Sequence, residues 1–392
     1  MTTTPSTLEA RKPSTTNTYD IPSSYSNLDD LTTSIPPLPP TLPLNTPTLE
    51  QSRSHHEPQS PPPSVKPSIS RPLTTLYTIS HLIFFSLLGT LARLGLQSLT
   101  TYPNTPFIYP SLWPNFSGCL ILGFLSEDRF IFRHYYHHHP QPSDHQKQKK
   151  TIPPYIGLST GFCGSFTSFS SFIRDVFLAL SDTSREGGYS FLAILGVVII
   201  TLTISISGFF FGAHISIFLG PYIPGLPHTS TKIIDNAVIF LGLTCWLGAI
   251  IMAVFPPEEK WRGIAVFALV FAPLGCLGRF FLSLKLNGRI SSFPLGTFVV
   301  NILGTAVLGM AWDLAHVPVG GIVGCQVLQG IQDGFCGCLT TVSTWVAELT
   351  SLRRGHAYIY GGTSVFAGLV VLVGIMGGLK WSDGWEDLVC VH

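Results

Sequence analysis

Charge is what this sequence has least of. Of its 392 residues only 11% are Asp, Glu, Lys or Arg, against roughly 25% in ordinary soluble domains. The length could hold two or three soluble domains, but most of the charges lie outside long apolar runs, which argues against that organisation. The formal net charge is +1; no bulk attraction to nucleic acid follows, and no nucleic-acid partner is expected. A secretory leader is not expected either, because the first apolar stretch begins only near residue 73. No Gly-x-x-x-x-Gly-Lys-Ser/Thr loop is present, so nothing points to work driven by nucleotide hydrolysis. The eight cysteines show no disulfide spacing, and Cys119, Cys245 and Cys276 sit inside apolar segments, where a thiol behaves as a small hydrophobe. His134, His137, His138 and His139 crowd one stretch, but no Cys or carboxylate cluster closes a metal site beside them. A solvated, His- and Lys-rich cytosolic loop over 132–150 is the expectation.

What the chain does have is apolar length. Residues 1–72 are rich in Pro, Ser and Thr, with 14 of the 31 prolines before residue 70. Such a segment buries too little to offset its ordering entropy, and it reads as a disordered cytosolic tail in which Pro36-Pro-Leu-Pro-Pro40 could present a polyproline helix. From residue 73 onward, apolar segments near the roughly 20 residues that span a bilayer follow one another. They predict helices at about 74–99, 110–133, 152–180, 190–217, 233–255, 262–286, 293–313, 319–350 and 357–380. With the amino terminus in the cytosol, Arg133, Lys147, Lys149, Lys150, Lys285, Arg289, Arg353 and Arg354 fall on inside loops, while Lys260 and Arg262 are exceptions partly offset by Glu258 and Glu259.

The third of these helices contains Gly161-Phe-Cys-Gly-Ser-Phe-Thr-Ser-Phe-Ser-Ser-Phe172, and the eighth contains Gly334-Phe-Cys-Gly-Cys-Leu-Thr-Thr-Val-Ser-Thr-Trp345. Other landmarks repeat with them. Arg93 precedes Asn115 by 22 residues and Arg279 precedes Asn301 by 22; Asp175 and Glu348 each follow the first motif glycine by 14. The expected fold is therefore an all-α polytopic membrane protein made of two four-helix repeats, 73–220 and 259–382, with a short C-terminal tail, 383–392. A linking helix within 221–258 turns the second repeat over, so that the two are antiparallel about an axis in the membrane plane.

Four groups of residues could carry chemistry. The glycines Gly161, Gly164, Gly334 and Gly337 each cost a helix about 1 kcal/mol relative to Ala, and the hydroxyls after them (Thr167, Ser168, Ser170, Thr340, Thr341 and Ser343) compete for backbone hydrogen bonds. Both features favour a mid-membrane break, whose freed carbonyls must be buried or line an ion site. A small hard cation such as Na⁺ would suit two such breaks facing each other; close packing through small residues accounts for the glycines equally well. Asn115 and Asn301 read either as helix–helix glue or as amide donors to a passing anion. Arg93 and Arg279 read as buried cations marking a pathway or as side chains that snorkel to an interface, the latter slightly favoured. Phe169 and Phe172, three residues apart, share a helix face and could meet a small anion with their electropositive edges, although a Phe pair in a membrane helix is ordinarily packing. Tyr360 and Ser364 share a face of the last helix and could extend a polar track; Tyr189 and Ala193 make a poorer first-repeat pair.

The Gly-x-x-Gly-x-Leu/Phe-Thr-Thr-Phe-Ser-Thr-Phe pattern with an upstream Arg and a membrane Asn resembles the CrcB-like fluoride channel family. Two such units and a linking helix resemble its fused, fungal-type exporters, over about residues 74–380. The resemblance implies a plasma-membrane channel that passes fluoride out of the cytosol down its electrochemical gradient, conferring resistance to fluoride, with lipid as its solvent and one two-repeat chain as the working unit. It implies a structural Na⁺ held by backbone carbonyls of Gly164, Thr167, Gly337 and Thr340, and no organic cofactor. It implies pore roles for Asn115, Asn301, Phe169, Phe172, Thr297 (replaced by Ser111 in the first repeat), Tyr360 and Ser364. Val342 and Trp345 stand where the family has two Phe, so one of two pores is expected to be degraded. Two other readings compete with it: a proton- or sodium-coupled transporter using Asp175 or Glu348, and a membrane hydrolase using Ser170 or Ser343, for which no His–Asp pair is expected beside either serine in a membrane segment.

Overall fold

A computed structural model describes residues 71–390 apart from 104, 106–108, 133–148, 182–186, 224, 226–227, 318–319, 387 and 389. The expected N-terminal tail up to residue 70 and nearly all of the His-rich loop lie outside the described residues. Among the described residues the chain is helical with no strand. In chain order the helices are α1 (Arg71–Thr100), α2 (Leu112–Glu127), α3 (153–166), α4 (Phe169–Ser181), α5 (Gly187–Leu219), α6 (His228–Val254), α7 (Glu259–Leu286), α8 (Leu295–Ala315), α9 (321–339), α10 (Ser343–Ser351) and α11 (Arg354–Ser382). Helix underlies every apolar segment expected from the sequence.

Among the described residues, six helices are long and apolar enough to cross a membrane: Pro72–Thr100, Tyr189–Tyr222, Ile233–Val254, Glu259–Leu286, Leu295–Ala315 and Arg354–Ser382. α2 falls short with 16 residues, ending at Glu127 rather than near 133. The cause is local. Asp128 leaves the helix with φ −56° and ψ 130°, and its carboxylate accepts the N–H groups of Phe130 and Ile131. The buried Lys149 ammonium then donates to the carbonyls of Leu125 (2.8 Å), Ser126 and Asp128, capping the C-terminal end of α2.

The packing is governed by small residues and exchanged segments. α2 lies along α5 so closely that a Cβ at Gly123 would strike the Phe209 carbonyl and one at Gly212 the Leu120 carbonyl; such approach is how helices associate where lipid removes the hydrophobic drive. α8 and α11 pair as α2 and α5 do, and α1 meets α3 as α7 meets α9. α4 does not stay only with its own half: it packs between α8 and α11. Likewise α10 packs against α2 and α5.

α6 lies on α1 and α7 with an otherwise exposed apolar surface. Its contacts are more polar than a purely topological role requires. His81 Nε2 stands 3.4 Å from Asp235 Oδ1, close enough to pair but misaligned for a hydrogen bond. Tyr77 donates to Asn236 Oδ1 at 3.1 Å, and Trp246 donates to the Val270 carbonyl at 3.0 Å.

One expectation is overturned. Cys325 and Cys390 form a disulfide across 65 residues of sequence. Spacing gave no sign of it because the partners meet only when the segment after α11 folds back on the start of α9. Trp385 fixes that segment by donating to Asp313 Oδ1 (3.2 Å) and packing its ring on Trp312 and His316.

Candidate functional site

The two motifs face each other in the middle of the molecule. α3 ends at Phe166, Thr167 is extended (φ −94°, ψ 151°), and α4 begins at Phe169. α9 ends at Leu339, Thr340 is extended (φ −91°, ψ 157°), and α10 begins at Ser343. In an unbroken helix the carbonyls of Gly164 and Thr167 would accept from the N–H groups of Ser168 and Ser171. Here Ser168 N–H donates to Asn115 Oδ1 at 2.9 Å, and Ser171 N–H to Ser168 Oγ at 3.2 Å. In the second motif, Thr341 N–H donates to Asn301 Oδ1 at 2.9 Å, and Thr344 N–H to Thr341 Oγ1 at 3.4 Å. The same four carbonyls, at Gly164, Thr167, Gly337 and Thr340, therefore lose their intrahelical donors. Asn115 and Asn301 are fully buried and hold the breaks open; their amide N–H groups donate back to the carbonyls of Ser168 and Thr341.

Hydroxyls stitch the breaks together. Thr167 Oγ1 accepts the N–H groups of Val342 and Ser343 and lies 3.2 Å from Thr341 Oγ1. Thr340 Oγ1 accepts the N–H of Ser170 and lies 3.3 Å from Ser168 Oγ. Ser170 Oγ bonds Thr340, and Ser343 Oγ donates to the Cys163 carbonyl. These partners are hydroxyls and backbone; the His81–Asp235 pair bonds neither serine.

Arg93 and Arg279 do not snorkel. They are 1% and 2% exposed, and each crosses to the opposite motif. Arg279 donates to the Thr160 carbonyl at 2.8 Å and to the Cys338 carbonyl at 2.8 Å, with its guanidinium lying where a Cβ on Gly164 would be. Arg93 donates to the Asp333 carbonyl, with its guanidinium where a Cβ on Gly337 would be. Glycine is required at both positions because a cation from the other half occupies the side-chain space.

Beside this centre is a polar cluster. Glu348 Oε1 accepts from Thr297 Oγ1 (2.6 Å) and Asn287 Nδ2 (3.3 Å), and Oε2 accepts from Tyr360 (2.7 Å). Ser364 donates to the Tyr360 carbonyl at 2.7 Å. Thr297, Asn301, Tyr360 and Ser364 are all fully buried. In the first half Asp175 plays the matching part, accepting from Ser111 Oγ at 2.6 Å. Tyr189, however, is 62% exposed and reaches no such cluster. Asn287 was absent from the expected residues and carries no sequence signature; Glu348, picked out by its shared 14-residue offset with Asp175, was expected only as the titratable group of a coupled transporter.

Phe169 and Phe172 are fully buried and meet edge-to-face, ring centroids 5.8 Å apart at 81°. Trp345 packs edge-on against Phe169 at 5.2 Å, so the divergent position of the second motif belongs to the same aromatic group. Its indole N–H is buried without a hydrogen bond. Because α4 lies between α8 and α11, the rings of the first motif share a neighbourhood with the polar residues of the second half.

The family model described as "CrcB-like protein, Camphor Resistance (CrcB)" matches residues 81–213 and again residues 266–377. The chain belongs to the CrcB-like family. It carries two copies of the family unit. It is 56% identical over 369 residues to Fluoride export protein 1 of Neurospora crassa, covering 82% of this chain and 70% of that one. Identity to Fluoride export protein 1 of Schizosaccharomyces pombe is 32%, over 80% of this chain and 99% of that one. The Fluoride-specific ion channel FluC of Pseudomonas aeruginosa is 38% identical over 128 residues, which are 32% of this CrcB-like chain and 98% of the bacterial protein. No solved structure matches.

Proposed function

We propose that this CrcB-like chain is a fluoride channel that exports the anion from the cytosol through one working pore. The observation that carries the reading is the insertion of α4 between α8 and α11. In this reading Phe169 and Phe172 work with Thr297 and Asn301 of α8 and Tyr360 and Ser364 of α11, the two helices that α4 packs against. Fluoride holds its water tightly, so a pore must offer replacement donors along its length. Amides, hydroxyls and ring edges supply them without a fixed charge at each step. The names of the relatives, fluoride export proteins and a fluoride-specific channel, point the same way. The second pore is degraded in this reading: α10 carries Val342 and Trp345 where α4 carries its two Phe, and Tyr189 is exposed.

The two halves form an inverted pair with α6 as the inverting span, and the amino terminus is cytosolic in the plasma membrane. The disulfide supports this orientation, since Cys325 and Cys390 fall on the face that Lys and Arg place outside, where disulfides persist. The backbone carbonyls of Gly164, Thr167, Gly337 and Thr340 would hold a structural Na⁺ in this reading. The chemistry of the donor set fits: four carbonyls at Gly164, Thr167, Gly337 and Thr340 without their helical partners, all neutral oxygen ligands. When bound, the ion would neutralise those carbonyl dipoles and tie the halves together.

An inside-negative potential supplies about 2.3 kcal/mol per charge per 100 mV, enough to drive export without coupling. The full chain in liposomes, with a potassium-set potential and no pH or sodium gradient, should release fluoride and retain chloride, as read by ion-selective electrodes. Absence of fluoride release under that potential overturns the channel reading, and release only with an imposed proton gradient replaces it with a coupled transporter.

A further inference from the structure

Asn287 follows the last residue of α7 and reaches the start of α8. α8 begins after Pro294, whose side chain has no oxygen to cap the helix. Asn287 supplies one from outside: its Oδ1 accepts the Thr297 N–H at 3.0 Å. Because a backbone N–H can only donate, the amide is fixed with Nδ2 on its other side. Nδ2 donates to Thr297 Oγ1 at 3.2 Å and to Glu348 Oε1 at 3.3 Å. The seat is shaped for this side chain, since a Cβ on Gly296 would come within 2.6 Å of Asn287 Oδ1.

Counting protons then fixes the cluster. Thr297 has one hydroxyl proton and its oxygen accepts from Asn287, so the proton goes to Glu348 Oε1 at 2.6 Å. Tyr360 gives its proton to Oε2 at 2.7 Å. All three bonds to the carboxylate are only part-buried, so this end of the cluster is not sealed. The three donors are of two kinds. The hydroxyls are rotors that can turn to another acceptor; the amide, bonded at both its oxygen and its nitrogen, cannot. A carboxylate left without donors is costly, and one loose beside the path of an anion repels it.

The first half is built differently. Eight residues after Arg93 and Arg279 stand Thr101 and Asn287. Thr101 is exposed, and its hydroxyl donates to the Gln97 carbonyl of its own helix at 2.8 Å. Pro110, not glycine, precedes Ser111, and the Asp175 carboxylate itself takes both the N–H and the hydroxyl of Ser111. The amide anchor belongs to the half whose polar track is complete.

We propose that Asn287 is a positioning residue for fluoride passage: it keeps the Glu348 carboxylate tied while the hydroxyls of Thr297 and Tyr360 turn from it to the ion. The proposal rests on the pore reading above, and fluoride release from liposomes holding the full chain tests the two separately. Asn287→Asp keeps the oxygen that caps α8 and puts a carboxylate oxygen where the donor was, so release should fall at least about tenfold. Asn287→Ala removes the donor without adding charge and should lose release as well, whereas Thr101→Ala should leave it unchanged. Adding Glu348→Gln to Asn287→Asp moves the amide to 348 and the carboxylate to 287. The same bonds then form with donor and acceptor exchanged, and release should return to within about threefold of Glu348→Gln alone. Recovery of that kind is not expected of a residue that only holds the fold, and melting temperatures in detergent report whether each variant folds. Wild-type release in Asn287→Asp, or no recovery in the double variant, overturns the role of Asn287 and leaves the channel standing. A wild type that releases no fluoride removes the channel reading and this role with it.

Discussion

At the residue scale the glycines and rings are the most sensitive positions. Gly164 and Gly337 face the guanidinium groups of Arg279 and Arg93, so any side chain there displaces a buried cation from its carbonyl partners. Gly164→Val and Gly337→Val should each lose fluoride flux and destabilise the fold by about 1–3 kcal/mol or more, the range for overpacking. Gly196→Val is the control, because a Cβ there meets nothing within 4 Å. Wild-type resistance to fluoride in cells carrying either motif variant would refute the crossing of the arginines as a requirement. Phe169→Ile keeps volume and apolarity but removes the ring edge. Flux should fall by at least about tenfold, more than 1.4 kcal/mol of barrier, whereas Val342→Ala should leave most of it. Trp345→Phe should change the rate measurably, because the indole packs on Phe169 and belongs to the same aromatic group.

At the element scale, helix ends and helix docking do the organising. Lys149 caps α2 from a buried position on the loop before α3. Burial pushes its amine down to about 8, against the upward pull of Asp128 and Glu127. The unfolded chain holds that proton more tightly than the folded one, so raising pH through and above about 8 favours the folded state. Lys149→Met abolishes this term. The melting temperature of the wild type relative to the variant should therefore climb between pH 7.5 and 9.5 in detergent; a flat or falling difference would contradict it. The helices themselves were legible in the sequence, because length and apolarity decide what can sit in a bilayer and these are local properties. The end of α2 was not, since Lys149 and the helix it caps are 22 residues apart from Lys149 to Glu127. The docking of α6 was not either: His81 and Asp235 belong to helices distant in sequence, and nothing local pairs them.

At the scale of the whole molecule, the disulfide and the exchange of α4 and α10 matter most. Closing 65 residues with a covalent bond removes roughly 4 kcal/mol of loop entropy from the unfolded chain in the chain-entropy account. Cys325→Ser or Cys390→Ser should lower the melting temperature by several degrees and free the segment around Trp385. In intact cells an impermeant reductant followed by an impermeant maleimide should label this pair from outside. Labelling only after the membrane is opened would reverse the proposed orientation. The sequence by itself determined the class of fold, the two family units, and the residues at the motifs, because bilayer length, glycine in a membrane helix and repeated spacing are all written along the chain. The tertiary structure decided that α4 packs against α8 and α11, which arginine fills which glycine, and which cysteines join. Those are contacts between segments more than 60 residues apart in sequence, from 65 for the cysteines to 244 for Arg93 and Gly337. They follow from how two halves interlock, and a one-dimensional pattern carries no record of that.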